Sequence, residues 1–217
     1  MSPDESSDAD TDRDDVSTRR LEAFTDGVFA IAATLLVLDL SVNTLGPAIT
    51  DDAGLWTALL HQSHSFVSFV ISFLLLGLLW SIHVWEFEHI VRVTRPLVLL
   101  NNLRLLGIVL IPFTTSLSSD YPELLAGRIL LPINFLLVTA LGLIEWSYAT
   151  RPSRRLTAGL SEAGIRSARN GAIVAVVSSV ITVALAPFFG PWAFLAFALN
   201  PLADRIPGLN RPRRGRA

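Results

Sequence analysis

The sequence contains no cysteine, so the chain can form neither a disulfide nor a thiolate metal site. Lysine is also absent, and arginine supplies all 17 basic residues. Charged residues make up only 17% of the 217 positions, and most of them lie outside the apolar runs. Because no Walker motif, G-x-S-x-G or H-E-x-x-H sequence occurs, nothing indicates an enzyme.

Apolar residues dominate what is present. Hydrophobic residues account for 51% of the chain, and the mean hydropathy is +0.51. This composition predicts an integral membrane protein. The apolar runs along the chain predict an all-α fold with six transmembrane helices in each subunit. The predicted helices cover residues 21–40, 56–87, 96–118, 124–148, 166–187 and 191–203.

Both ends of the chain are polar. Residues 1–18 are rich in Ser, Asp and Glu, so we expect a disordered segment that cannot bury enough apolar surface to offset its ordering entropy. It lacks the basic region of a signal peptide. The predicted organisation is an acidic cytoplasmic tail over residues 1–18, a six-helix transmembrane domain over residues 19–205 and a basic cytoplasmic tail over residues 206–217.

The arginines predict the orientation of the chain. With six helices both termini lie on one side of the membrane, and 16 of the 17 arginines fall on that side. Only Arg128 falls on the other. The positive-inside rule therefore predicts a multi-pass protein of the cell membrane with both termini in the cytoplasm. The basic tail is also suited to contact anionic lipids.

The first predicted helix combines polar and apolar sequence. Arg20, Glu22, Thr25 and Asp26 lead directly into an apolar run. Residues 21–40, at ~1.5 Å of rise per residue, span ~30 Å, which is the thickness of a bilayer core. A charged side chain at the bilayer centre costs about 2.5–3.5 kcal/mol, so we expect Asp26 to face protein or water.

The sequence RLEAFTDGVFAI at residues 20–31, followed by TLLVL at residues 34–38, resembles the first-helix signature of the transmembrane protein 175 family, the endolysosomal potassium channels and their prokaryotic relatives. The family usually has Ser where Thr25 stands, a change that keeps the hydroxyl and adds a methyl group. The resemblance extends to about Phe113. It is carried there by Trp80-x-x-His83, Asn102-Leu103 and Pro112-Phe113.

Ile31, Thr34 and Leu38 are spaced i, i+3 and i+7, so they share one face of the first helix. From the spacing alone we prefer a packing stripe, with the Thr34 hydroxyl bonded back to a carbonyl. The resemblance reverses this preference. It implies that the first helix forms the pore, with an aliphatic constriction and a threonine ring that contributes to potassium selectivity. No T-V-G-Y-G filter occurs, so we expect modest selectivity.

A second group of residues is predicted to lie together near the cytoplasmic ends of the first three helices. Asp26 needs donors there, and Arg20, His83 or Asn102 could supply them. We prefer a structural clamp that holds the first helix in register, and the alternative is a gate or proton sensor based on His83. The group consists of Arg20, Phe24, Thr25, Asp26, Trp80, His83 and Asn102.

Two patterns have the spacing of metal ligands, namely His61-x-x-His64 and the trio His83, Glu86 and His89. Without cysteine or an evident third ligand, such residues are more often interfacial polar groups. We therefore expect no metal site and no cofactor apart from the permeant potassium ion.

Together, the helix pattern and the resemblance predict a potassium-permeable channel. The resemblance implies a homo-oligomer, a tetramer as in prokaryotic members, with membrane lipids and potassium ions as partners and no nucleic acid. A secondary transporter is one alternative, although Pro112 and Pro132 do not form the matching helix breaks of two related halves. A non-conducting membrane scaffold is the other.

Overall fold

The computed structural model describes residues 18–40, 49–154 and 156–199. These residues contain no β-strand, and a single isolated bridge pairs Ile90 with Thr157. The predicted tails lie outside them, except for Thr18, and so does part of the loop after the first helix. The six α-helices of the described residues are α1 (Thr18–Leu36), α2 (Asp52–His61), α3 (Ser63–His89), α4 (Arg95–Asp120), α5 (Leu125–Ala149) and α6 (Glu162–Phe189).

Four described stretches are long and apolar enough to cross a membrane: Ser65–His89, Arg95–Asp120, Leu125–Ala149 and Glu162–Phe197. Helix α1 is not one of them, because Arg19, Arg20, Glu22 and Asp26 lie in its first half. The all-α membrane class that the composition predicts is confirmed.

Helix α1 presents one side to the rest of the subunit. The buried residues recur every three or four positions, as expected for one face of a helix. The helix ends at Leu36, and a short 3₁₀ helix covers Val37–Leu40. The buried face consists of Leu21, Thr25, Phe29, Ala32 and Leu36.

The prediction of one continuous second helix is wrong at its start. Asp51 caps a separate short helix, α2, by accepting a hydrogen bond of 2.8 Å from the backbone N–H of Gly54. Gln62 then interrupts the helical run, with ψ at 2°, before α3 begins. The membrane-spanning part of this region is therefore α3 alone.

Helices α4 and α5 lie close to the predicted bounds and contact each other along their length. The backbones approach closely at Gly107, where an added Cβ would lie 2.5 Å from a methyl carbon of Val138. One turn away, the Asn134 amide donates to the carbonyl of Gly107 at 2.9 Å. Pro112 and Pro132 both lie inside these helices, as a helix bundle tolerates.

The chain reverses after α6. Gly190 has φ of +55°, which favours glycine, and a 3₁₀ helix then covers Gly190–Leu199. Thr182 contacts the carbonyl of Ala193 at 3.5 Å across eleven positions, so this segment folds back along α6. In place of the predicted sixth helix over 191–203, the structure has the short 3₁₀ helix Gly190–Leu199, which we call the 3₁₀ return because it folds back along α6. Residues beyond 199 lie outside the described ranges.

The hydrophobic core lies where α1, α3, α4, α5 and the 3₁₀ return meet. Aromatic rings close its end, with the Phe135 centroid 5.4 Å from that of Phe194 and 5.8 Å from that of Phe197. This core fixes the buried face of α1 and so determines which face remains outward. Its largest fully buried members include Leu36, Leu76, Ile108, Ile111, Leu131 and Phe135.

Candidate pore face and buried polar network

The predicted stripe lies on the outward face of α1 and of the 3₁₀ helix Val37–Leu40 that follows it. Ile31 is 61% exposed and Leu38 is 66% exposed, whereas Phe29 and Ala32 on the opposite side are buried. Thr34 is also exposed, and its hydroxyl donates to the carbonyl of Ile31 at 2.8 Å. That back-bond is the one expected for a packing stripe, yet no other part of the described subunit covers this face.

One polar contact holds α1 to α4 from within the core. The Asn101 amide donates to the Thr25 hydroxyl at 3.1 Å, and both residues are fully buried. Because a buried amide is costly to leave unpaired, this bond favours one rotational setting of α1. It directs Thr25 inward and leaves the stripe outward.

A second polar contact joins α1 to α3. The indole N–H of Trp80 donates to the carboxylate of Asp26 at 2.9 Å. Of the predicted donors, His83 makes no hydrogen bond to Asp26, since neither of its ring nitrogens has a partner among the described residues. Trp80, which the predicted group already includes, takes that role.

Three members of the predicted group point elsewhere. Asn102, Arg20 and Phe24 are exposed on the subunit surface. Asn102 was expected to meet Asp26, but its neighbour Asn101 is the buried amide, about 100° away around the helix. Sequence alone gives no reason to choose between two adjacent asparagines unless the buried face of the helix is known.

His83 lies in an aromatic environment. Its ring is 2% exposed and stacks on Phe87 with 4.3 Å between centroids. The ring of Phe29 on α1 lies 5.9 Å away. His83 therefore contacts the back of α1 through apolar surface rather than through a hydrogen bond to Asp26.

The described structure also contains a buried ionic cluster that the sequence reading missed. Arg104 on α4 binds Glu86 on α3 at 2.7 Å and Glu145 on α5 at 3.1 Å. Gly142 makes room for the guanidinium, since a Cβ there would lie 3.0 Å from Cζ of Arg104. The sequence does contain a signal for this cluster, since Glu86, Arg104 and Glu145 are isolated charges within apolar helices. Charged side chains in membrane spans are normally paired with one another.

A cavity of about 440 Å³ lies between α1 and α3, next to the stripe. Its walls are mainly apolar, and the Asp26–Trp80 pair forms its polar end. Its lining consists of Asp26, Phe29, Ala30, Ala33, Phe73, Leu76, Gly77 and Trp80.

Comparison with known proteins identifies the family. The model for the endosomal/lysosomal potassium channel TMEM175 matches residues 20–112. A protein of Streptomyces collinus, named a potassium channel, is 33% identical over 187 residues, which are 84% of this chain and 89% of that protein. The chain belongs to the TMEM175 family. The crystal structure of a TMEM175 homologue from Chamaesiphon minutus, titled a lysosomal potassium-selective channel, matches with a TM-score of 0.70 and 26% identity, over 87% of this chain and 97% of that one.

TMEM175 proteins are channels, so the chain is a multi-pass membrane ion channel and the prediction that it is not an enzyme is confirmed. The human relative, named an endosomal/lysosomal proton channel, is 40% identical over 95 residues. Those residues are 42% of this chain but 19% of the human protein. The chain thus spans about a fifth of that longer TMEM175 protein.

Proposed function

We propose that the chain is one subunit of a homo-oligomeric, potassium-permeable channel whose pore is formed by α1. The observation that carries this proposal is the outward position of Ile31, Thr34 and Leu38, while the other face of α1 is buried against α3 and α4. The relatives from S. collinus and C. minutus, which are named as potassium channels, support the choice of ion.

The chemistry of the stripe suits a cation pathway. Ile31 and Leu38 are large apolar groups, and rings of such groups control ion passage through hydration and dewetting. Thr34 uses its only hydroxyl proton in the bond to the Ile31 carbonyl. The oxygen lone pairs therefore remain available as partial substitutes for the water ligands of a potassium ion.

A pore lined by this stripe requires an oligomer. One subunit contributes one stripe, and a closed path needs the same stripe from several copies around an axis. The family resemblance favours four copies. We propose a homotetramer in the cell membrane, with both termini in the cytoplasm, as the distribution of arginines favours.

Flux through the purified channel tests this proposal. Liposomes loaded with potassium and containing the wild-type chain are expected to lose potassium passively, as measured with an ion-selective electrode. Ile31→Ala is expected to raise the rate several-fold because it widens an apolar ring. The matched control is Ile181→Ala, the same substitution at an exposed position on α6, which is expected to leave the rate unchanged.

Three results would contradict the proposal. Potassium efflux that saturates or requires a coupling ion would indicate a transporter, and liposomes that remain tight would indicate a scaffold. Equal rates for Ile31→Ala and Ile181→Ala, in oligomers of normal size, would exclude this face of α1 as the pore. A parallel recording with a pH-sensitive dye tests proton flux, the activity named for the human relative.

A further inference from the structure

Three metal-ligating side chains meet inside the subunit, away from the stripe. His83, Glu86 and Glu145 each offer one ligand atom, and these atoms lie within 4.8 Å of one another. All three residues are buried. They come from α3 and α5, and the core separates them from the outward face of α1.

The charges of this group do not balance. With both carboxylates ionised, Arg104 compensates only one of the two negative charges. An uncompensated charge in a buried, apolar setting is strongly unfavourable. A divalent cation more than offsets that single charge, and a hydroxide in the fourth position of a tetrahedral ion would restore neutrality.

Ligand atoms remain free in this group. Both ring nitrogens of His83 and Oε1 of Glu145 are buried, and none of them has a hydrogen-bond partner among the described residues. Arg104 contacts the other oxygen, Oε2, of each glutamate. The guanidinium thus orients both carboxylates and leaves Oε1 of Glu145 free for coordination, as outer hydrogen bonds do in metal sites.

We propose that His83, Glu86 and Glu145 bind one divalent transition-metal ion of the zinc class in each subunit. One imidazole and two carboxylates match the ligands of zinc and its neighbours, whereas calcium and magnesium prefer oxygen alone. At metal–ligand bonds of ~2.0–2.2 Å, tetrahedral geometry brings ligand atoms to ~3.4 Å, so the site contracts by side-chain rotation on binding. The ion joins α3 to α5 and is not part of the ion pathway.

The proposed ligand set differs from the trio that has metal-ligand spacing in the sequence. His83 and Glu86 are three residues apart on α3, and the pattern offered His89 as the third member. The His89 ring instead contacts the carbonyl of Trp85 at 2.8 Å, and the residue is partly buried. The third ligand comes from Glu145, which is distant in sequence.

A background with one histidine gives the sharpest test. The chain has four histidines, so replacing the other three by glutamine leaves His83 as the sole imidazole; the replaced residues are His61, His64 and His89. The full-length protein of this background, purified in detergent and stripped with a chelator, is then titrated with Zn²⁺. We expect one zinc per subunit by elemental analysis after gel filtration and a higher thermal midpoint.

His83→Gln in the same background is expected to lose both the bound zinc and the thermal shift, and Glu145→Gln to weaken binding at least tenfold. Zinc retained equally by His83→Gln, or absent from the one-histidine background, would overturn the proposal. If His83→Gln fails to fold, Co²⁺ in the one-histidine protein provides the readout. Visible absorption that Zn²⁺ displaces supports the site, and its absence refutes it.

Discussion

At the scale of single residues, Thr34 has a donor and an acceptor with different roles. Its proton is donated to the Ile31 carbonyl, and its oxygen remains available as an acceptor. Thr34→Val keeps the shape and removes the oxygen, so we expect the potassium-to-sodium permeability ratio to fall toward one while conduction persists. Thr34→Ser is the matched control and is expected to keep the ratio. Reversal potentials measure both, and a valine variant with the wild-type ratio would move selectivity to another position.

Asp26 and Trp80 form a pair that a double-mutant cycle can isolate. We expect Asp26→Ala and Trp80→Phe to couple by about 0.5–1.5 kcal/mol in stability, because each removes the same hydrogen bond. Asp26→Ala combined with His83→Ala is the control cycle, expected to be additive since His83 makes no hydrogen bond to Asp26. Coupling in the control but not in the Trp80 cycle would restore His83 as the partner of Asp26.

At the scale of helices, α1 is held by a buried contact whose loss can be measured. Thr25→Val leaves the Asn101 amide unpaired in the core, a cost of about 1–3 kcal/mol, so the oligomer is expected to denature at a lower temperature. Thr25→Ser, the residue usual in the family, is expected to keep the bond. Asn102→Ala removes the exposed neighbour and is expected to change little. A larger effect of Asn102→Ala than of Thr25→Val would contradict the assignment.

The helices show what the sequence could predict. The bounds of α4 and α5 follow from apolar runs of bilayer length, and the structure moves them by one or two residues. The break at Gln62 carries no proline or glycine, so the pattern gave no reason to divide that helix. The 3₁₀ helix that begins at Gly190 is as apolar as a spanning helix, but its ten residues cover only about two thirds of a bilayer core at ~2.0 Å of rise per residue. Hydropathy does not distinguish a 3₁₀ helix from an α-helix.

The contacts between helices were harder to predict than the helices. Whether Asn101 or Asn102 is the buried amide depends on which face of α4 is buried. The ion pairs of Arg104 with Glu86 and Glu145 depend on how three helices pack together. Neither is encoded in local spacing. Thr25, Asp26 and Trp80 were predicted to form one group near the cytoplasmic ends of the first helices, and the structure gives each of them a hydrogen bond within that group or to Asn101.

At the scale of the whole molecule, the subunit has two regions with different chemistry. The interior between α3, α4 and α5 is where the buried charges are, and the outward face of α1 has none between Ile31 and Leu38. A change in one region is therefore expected to leave the other largely intact. Variants of Arg104 and its partners report on folding, whereas variants of the stripe report on permeation.

The neutral stripe has a consequence for how current depends on salt. Residues 31–38 contain no ionisable side chain, so nothing on this part of the wall concentrates cations or holds them tightly. Ions that bind weakly leave quickly, and occupancy becomes limiting only at high concentration. We expect single-channel conductance to increase almost in proportion to potassium activity well beyond physiological levels, as measured in planar bilayers. Saturation at low millimolar potassium would instead reveal a tight resident ion, which an uncharged ring of hydroxyls and methyl groups does not provide.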